Sequence, residues 1–221
     1  MELQVLYEDN HLIAVYKPAG ILVQEDKTGD ASLLDQVKYY LKEKYHKTGN
    51  VFLGLIHRLD RPVAGVIVFA KTSKGAARVS EQFRNHEVEK VYHAVVVGKP
   101  PQQKNTLISY LQKNENSNKV AISNIPLPDY LRAELSYEVV RSNGKYSLLK
   151  IQLGTGRSHQ IRAQLSEIGC QIVGDVKYGA PEPLPDKSLA LVATSLTFKT
   201  ATTDETHTVT IPIPETWKKY V

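Results

Sequence analysis

His57-Arg58-Leu59-Asp60-Arg61-Pro62 places one carboxylate in a short turn between two apolar runs. Val51-Phe52-Leu53-Gly54-Leu55-Ile56 precedes it and Gly65-Val66-Ile67-Val68-Phe69-Ala70 follows it. Runs of that length, rich in Val, Ile and Phe, predict buried strands. Asp60 is therefore expected on a loop held by rigid sheet, with cations at positions 58 and 61. A carboxylate there is either a salt-bridged structural group or a working nucleophile.

The pattern around this stretch predicts a mixed architecture. Leu3–Glu8 and Leu12–Val15 read as two short strands about the turn Asp9-Asn10-His11, and Lys17-Pro18-Ala19-Gly20 breaks the pattern. Residues 32–45 read as a helix capped by Ser32, with Leu33, Leu34, Val37, Tyr40 and Leu41 on one face. A second helix is predicted over 73–86 and a third over 158–168, the latter stopped by Gly169. Strands are predicted at 89–98, which contains Tyr92, in a polar hairpin over 106–123 turning near Asn116-Ser117-Asn118, in a hairpin pairing 132–141 with 145–153, and at 189–199 and 207–213. Strands outnumber helices and short turns join many neighbours. That predicts an α+β fold, one domain on a mostly antiparallel mixed sheet with flanking helices.

Size and charge set bounds. The 221 residues suffice for a well-buried core. Twenty-eight Lys and Arg against 23 Asp and Glu give a net charge of +5, which suits an acidic partner such as RNA without requiring one. Cys170 is the single cysteine, so an internal disulfide and a Cys-rich zinc site are excluded; its apolar neighbours predict a small buried side chain. Met1-Glu2-Leu3-Gln4 lacks the character of a signal peptide, and no apolar run approaches the ~20 residues of a membrane span. A reducing cytoplasm is the expectation.

A second segment tips Asp60 toward chemistry. Gly154-Thr155-Gly156-Arg157-Ser158-His159-Gln160-Ile161-Arg162 is a glycine-rich turn leading into a helix start with many donors. Unpaired N–H groups and the helix dipole favour an anion there, and His159, Arg162 and Ser166 share one predicted helix face. The reading is contact with phosphate or RNA, against a capped surface helix with solvated charges.

At these residues the chain resembles a family. His57-Arg58-Leu59-Asp60 with Gly65-Val66-Ile67-Val68 and Ala70-Lys71, Glu89-Lys90-Val91-Tyr92, and Gly156-Arg157-Ser158-His159-Gln160-Ile161-Arg162 are similar to the signatures of RluA-type RNA pseudouridine synthases. Lys17-Pro18-Ala19-Gly20 and Gly174-Asp175-Val176-Lys177-Tyr178-Gly179 also fit, and the order is that of the family from about Leu3 to Pro214. The resemblance implies an isomerase that cuts the bond between uracil nitrogen and ribose, turns the base and rejoins it through carbon, with no cofactor and no metal. It implies RNA as partner, ribosomal or transfer, a monomer, and a single catalytic domain over 1–221 without a separate amino-terminal RNA-binding domain.

By the same resemblance Asp60, Tyr92 and Arg162 are the catalytic residues. Asp60 is required ionised, as a free Asp of pKa about 3.9 is at neutral pH, and Arg162 would keep it so against desolvation. The carboxylate could attack the sugar, attack the base or first remove a ribose proton. Tyr92 offers a face to uracil and a hydroxyl for proton transfer. Arg58 would fill the gap left by an extruded uridine. Arg61, Arg157 and His159 are candidates for phosphate contact, and Ile151 and Leu153 for an apolar floor near the base.

The chain departs from the family pattern at Val63-Ala64-Gly65, where Thr-Ser-Gly is frequent, and at Gln164 and Val192, where many members carry His. Asp60-Arg61-Pro62 is closer to a subgroup with tRNA-modifying relatives. Residues 99–131, with Lys104, Lys113 and Lys119, are either a substrate-selecting insert or a solvated hairpin. Two other functions compete: an RNA-binding or RNA-folding scaffold that dispenses with the chemistry, and a metal-dependent hydrolase built on His57, Asp60 and His86. The last lacks a second carboxylate or an HxxH-type pair.

Overall fold

The computed structural model describes residues 3–26, 29–114 and 119–221; the turn expected at Asn116-Ser117-Asn118 lies outside them. The fold is α+β on a mostly antiparallel sheet with flanking helices, as the patterning predicts. The chain forms two compact units, Met1–Glu89 with Ala193–Ile211 and Lys90–Val192 with Pro212–Val221.

In the first unit the strands β1 (Val5–Glu8), β2 (Leu12–Lys17), β4 (Ala64–Ala70) and β10 (Leu191–Lys199, from Ala193 onward in this unit) lie in that order, with β3 (Gly54–Leu55) on β4 and β11 (Thr206–Thr210) on β10. Helices cover both faces of this sheet. α1 (Leu33–Lys44) puts Leu33, Val37 and Leu41 against Ile13, Val15, Ile67 and Phe69. α2 (Ser73–Arg84) puts Val79 against Leu12, Ala14, Val66 and Val68. That two-sided cover is why β2 and β4 read as unbroken apolar runs rather than alternating ones. Each fully buried Ile, Leu or Phe here contributes about 1.5–3 kcal/mol.

Local chemistry sets the helix starts. Ser32 accepts the Asp35 N–H, and the Asp35 carboxylate returns a bond to the Ser32 N–H, a complete capping box. The Thr72 hydroxyl accepts from Gly75 N at 3.1 Å and begins α2. The expected strand over 51–56 shrinks to the two residues of β3, because Phe52 points to solvent and only one edge of β4 is offered.

In the second unit β5 (Glu89–Val97), β9 (Tyr146–Leu153), β8 (Leu131–Ser142), β6 (Lys104–Asn114) and β7 (Lys119–Ser123) pair in that order, every pair antiparallel. α3 (Gln160–Glu167) supplies Ala163 to a small core with Leu111, Val120 and Ala133. α3 starts two residues later than expected, since His159 takes a left-handed conformation (φ 49°) as its N-cap. Cys170 is buried and reduced, as its surroundings predict, and burial pushes its thiol pKa up. Among the described residues no helix is long and apolar enough to cross a membrane.

Candidate functional site

Asp60 sits half-buried on the loop between β3 and β4, where its own carbonyl accepts from Val63 N at 3.0 Å and closes a tight turn. The loop is clamped from beneath by Lys17, the last residue of β2. Lys17 is fully buried, and its Nζ donates to the carbonyls of Pro18 (3.0 Å), Arg61 (3.1 Å) and Val63 (2.7 Å). A buried ammonium survives only with such partners. Burial lowers the Lys17 pKa to about 8; Asp60 pulls it back up and Arg61 pushes it further down. Lys17 is therefore a buried cation whose charge Asp60 supports.

Arg58 and Arg61 are both exposed. Arg61 is tied locally: its Nε donates to the Gly20 carbonyl at 2.9 Å and its Nη2 pairs with Asp30 at 2.7 Å. Gly20 N in turn donates to the Arg61 carbonyl at 2.8 Å. His57 is a packing residue. Its Nε2 accepts from Val68 N at 3.1 Å and its ring stacks on Phe83 at 4.8 Å, which does not suit a metal ligand. Among the described residues no group of three or more His, Cys, Asp or Glu could hold a metal ion. Gly65, the one family glycine kept in Val63-Ala64-Gly65, has φ +143°, and a Cβ there would meet the Ala193 backbone at 2.5–2.6 Å. Only glycine lets β4 leave the loop at this approach.

In the second unit Tyr92 is the cross-strand partner of Ile151, and Ile151 of Tyr137, so these side chains share one face of the sheet. Leu153, two residues on, joins the same face. Tyr92, Ile151 and Leu153 thus lie on one face, with Ile151 and Leu153 buried. Lys90 precedes Tyr92 by two on that face and is buried, which lowers its pKa.

Arg162 is also buried, and its guanidinium grips Asp175 with two bonds, Nε to Oδ2 at 2.7 Å and Nη2 to Oδ1 at 2.9 Å. It lies over the Tyr178 ring, 4.9 Å from the centroid. The Tyr178 hydroxyl meets His159 Nδ1 at 2.9 Å and accepts from Val120 N at 3.0 Å, while Ser166 Oγ donates to the Tyr178 carbonyl at 2.7 Å. His159, Arg162 and Ser166 thus each meet the chain's own Asp175–Tyr178 segment, with His159 still partly exposed. Arg157 remains exposed, its Nε donating to the Arg132 carbonyl at 3.1 Å. Gln160 fixes the glycine-rich turn: its Oε1 accepts from Thr155 Oγ1 (2.7 Å) and Arg157 N (3.0 Å), and its Nε2 donates to the Glu134 carbonyl (2.9 Å).

Two of the departures from the family pattern lie in the interior, and Gln164 keeps a buried Oε1 that has no hydrogen-bond partner among the described residues. Gln164 is buried with Nε2 donating to Ser109 Oγ at 2.9 Å and to the Leu107 carbonyl at 3.2 Å, and Val192 is a core residue. Lys104 of the 99–131 segment pairs with Glu138 at 2.9 Å. Lys17, Asp175, Tyr178 and Gln160 are the residues whose roles the sequence reading missed. All lie inside motif segments that it singled out; only their partners were invisible.

The comparisons with known proteins settle the class. A family model described as RNA pseudouridylate synthase matches residues 11–167. The chain belongs to that family. It is accordingly an isomerase acting on RNA. It is 33% identical over 179 residues to "Ribosomal large subunit pseudouridine synthase D" of Zymomonas mobilis, covering 80% of this chain and 56% of that protein. It is 32% identical over 237 residues to "tRNA pseudouridine synthase C" of Vibrio cholerae, covering 98% and 93%. The solved structure of "Human RNA Pseudouridylate Synthase Domain Containing 4" superposes with a TM-score of 0.81 at 25% identity, over 97% of this chain and 90% of that one.

Lys17 carries a prediction of its own. Replacing it by Met leaves the Pro18, Arg61 and Val63 carbonyls without their shared donor. Lys17→Met should lower stability by on the order of 3 kcal/mol in a urea melt. The pH dependence follows from the lowered pKa. With an unfolded value of 10.5 and a folded value of about 8, the unfolded chain holds more protons between those limits. The contribution of this group to stability therefore rises with pH across that window. Activity runs the other way: above about pH 8 the ammonium beside Asp60 is lost. The pH profile of kcat/KM should show an alkaline limb near that value, and Lys17→Arg should move it upward.

Proposed function

We propose that the chain isomerises a uridine in structured RNA, ribosomal or transfer, using the carboxylate of Asp60, with Tyr92 and Arg162 serving the same nucleoside. The observation that carries this is the placement of Asp60, in a chain of this family, on a loop pinned by a buried ammonium through three carbonyls. A rigid loop holds a carboxylate in aim, as catalysis by one group demands.

The bond from ribose C1′ to uracil N1 breaks, a bond from C1′ to C5 forms, the C5 proton leaves and a proton returns at N1. Asp60 attacks or takes a proton while ionised. The Tyr92 ring supports the base beside Ile151, and its hydroxyl is suited to proton transfer. Arg162 has five N–H donors, two of them on Asp175, and its further donors fit a second carboxylate. Arg58 fills the stack left by the uridine, and Arg61, Arg157 and His159 contact the RNA. Residues 1–221 act as one catalytic domain of two units, since the family match runs through both. The protein works as a cytoplasmic monomer that needs no metal or cofactor.

Pseudouridine mapping on total RNA, with and without the gene, tests the proposal. One or a few positions should lose their modification in the deletion strain and regain it with the wild-type gene but not with Asp60→Asn. An unchanged map, with purified protein inactive on that RNA, would overturn it.

A further inference from the structure

Lys90 carries a charge in the second unit that no step of the proposed reaction uses. It stands on β5, two residues before Tyr92 and on the same face, and is only 8% exposed. Burying an ammonium to that depth costs stability, and it lowers the Lys90 pKa. The end of the side chain gives the charge a use. A Cβ placed on Gly156 would stand 3.9 Å from Lys90 Nζ, its nearest neighbour beyond the adjoining residues. Gly156 is exposed. The lysine stem therefore runs through the interior and delivers its charge to the edge of the glycine-rich turn.

That turn is a fixed surface. Gly154 N and Thr155 N donate to the Glu134 carbonyl at 3.0 and 3.2 Å, and Gln160 Oε1 accepts from Thr155 Oγ1 at 2.7 Å and from Arg157 N at 3.0 Å. Gly156 lies between these pinned neighbours. Its φ is outside the left-handed range, so the backbone there would accept other residues. What glycine supplies is room beside the ammonium. Arg157 is the second cation flanking Gly156, exposed and tied by Nε to the Arg132 carbonyl at 3.1 Å. The carboxylate of Glu134 already holds Arg132 at 2.5 Å, and that of Asp175 holds Arg162. Glu89 alternates to the opposite face of β5. The charges bordering Gly156 thus favour an anion. Tyr92 is about 7 Å from Lys90 along β5, the reach from a base to the phosphate of its own backbone.

We infer that Lys90 and Gly156 form a seat for a phosphate of the RNA substrate, adjoining the uridine whose base rests on Tyr92. Lys90 Nζ supplies the charge, the bare glycine lets the phosphate oxygens approach, and Arg157 closes the outer side. RNA as the polyanion, and Tyr92 as the support of the base, rest on the proposed function. Lys90 is then a substrate-binding residue, held in place by its burial before the RNA arrives.

The test is fluorescence anisotropy of end-labelled unfractionated tRNA, and of end-labelled fragmented ribosomal RNA, with the full chain across a range of KCl. On the pool that wild type binds more tightly, Lys90→Met should weaken binding about tenfold and flatten the slope of log K against log salt by about 0.7, the share of one phosphate. Gly156→Ala keeps every charge but fills the seat, and should weaken binding severalfold with the same flattening. The double variant should bind within about twofold of Lys90→Met, because both changes empty one seat. Lys219→Ala, an equal charge loss at an exposed site of the same unit, should leave affinity and slope at the wild-type values. Thermal melts establish that each variant is folded, and Gly156→Ala, at an exposed position whose backbone tolerates it, decides the matter if Lys90→Met is not. Weakened binding with an unchanged slope would give Lys90 to the base rather than the phosphate and overturn the inference. Wild-type affinity in both single variants overturns it too, as does a wild-type chain that binds neither RNA. If wild type makes no pseudouridine while both variants lose the phosphate share of the slope, the enzymatic reading falls and this seat stands.

Discussion

Asp60→Asn will reduce the rate of pseudouridine formation by at least about 10³-fold while leaving the melting temperature close to wild type. The substitution keeps the size and most of the hydrogen bonding of the side chain and removes only its charge and basicity. The loop has its own supports: the Lys17 ammonium on three carbonyls, the Val63 N–H on the Asp60 carbonyl, and Arg61 on Gly20. None of them uses the Asp60 carboxylate, so the loop retains its course when the charge goes. A purely structural carboxylate would behave in the opposite way. Losing its charge beside the buried Lys17 would lower stability and reduce activity only in proportion to unfolding. Single-turnover assays on a tRNA or rRNA fragment identified by mapping, run beside calorimetry, separate the two. Retained turnover with a lowered melting temperature would return Asp60 to the structural class.

The parts of this molecule that were legible in its sequence are those set by local rules. The uninterrupted apolar run of β4 announced a buried strand, and Ser32 announced the start of α1. The hairpin of β8 and β9 was fixed by Ser142-Asn143-Gly144, with Asn143 Oδ1 accepting from Tyr146 N at 2.8 Å. Asp60, Tyr92 and Arg162 stand out as candidates because each lies in a short motif that resembles the family's. What could not be read was which charge answers which. Lys17 reaches a carbonyl 46 positions away, and Asp175 reaches an arginine 13 positions back. Such pairings are decided by tertiary packing, and periodicity carries no trace of them. The helix after the glycine-rich turn shows the consequence. Its donors suggested an outward face for phosphate, whereas Arg162, Gln164 and Ser166 turn inward to meet partners contributed by β6, β8 and the segment at Asp175–Tyr178.

Asp175→Ala should be the most destabilising single substitution in the second unit, at about 3–5 kcal/mol. The carboxylate is 1% exposed and Arg162 is 6% exposed by side chain, so removing Asp175 leaves a guanidinium in a dry interior with its strongest partner gone. The backbone at this point has no room to compensate. Gly174 holds φ +89°, and a Cβ there would come within 2.8 Å of the Ser188 carbonyl, so the position of the Asp175 backbone is fixed from one side. On the other side Tyr178 N and Ala180 N donate to the Asp175 carbonyl, each at 3.0 Å. Asp175→Asn is the milder version. It keeps one acceptor for Nε but loses the charge, and should fall near half of the alanine cost. The decisive comparison is the double variant Asp175→Leu with Arg162→Met. Replacing both members of a buried pair by apolar groups of similar volume is often neutral for stability. Chemical denaturation should therefore find the double variant more stable than Asp175→Ala. Pseudouridine formation should remain abolished in it, because the guanidinium assigned to the reaction is gone. Recovery of stability without recovery of activity separates the structural half of Arg162's work from its catalytic half. Recovery of both would remove Arg162 from the mechanism and leave the buried Lys17 ammonium as the cation on which Asp60 depends.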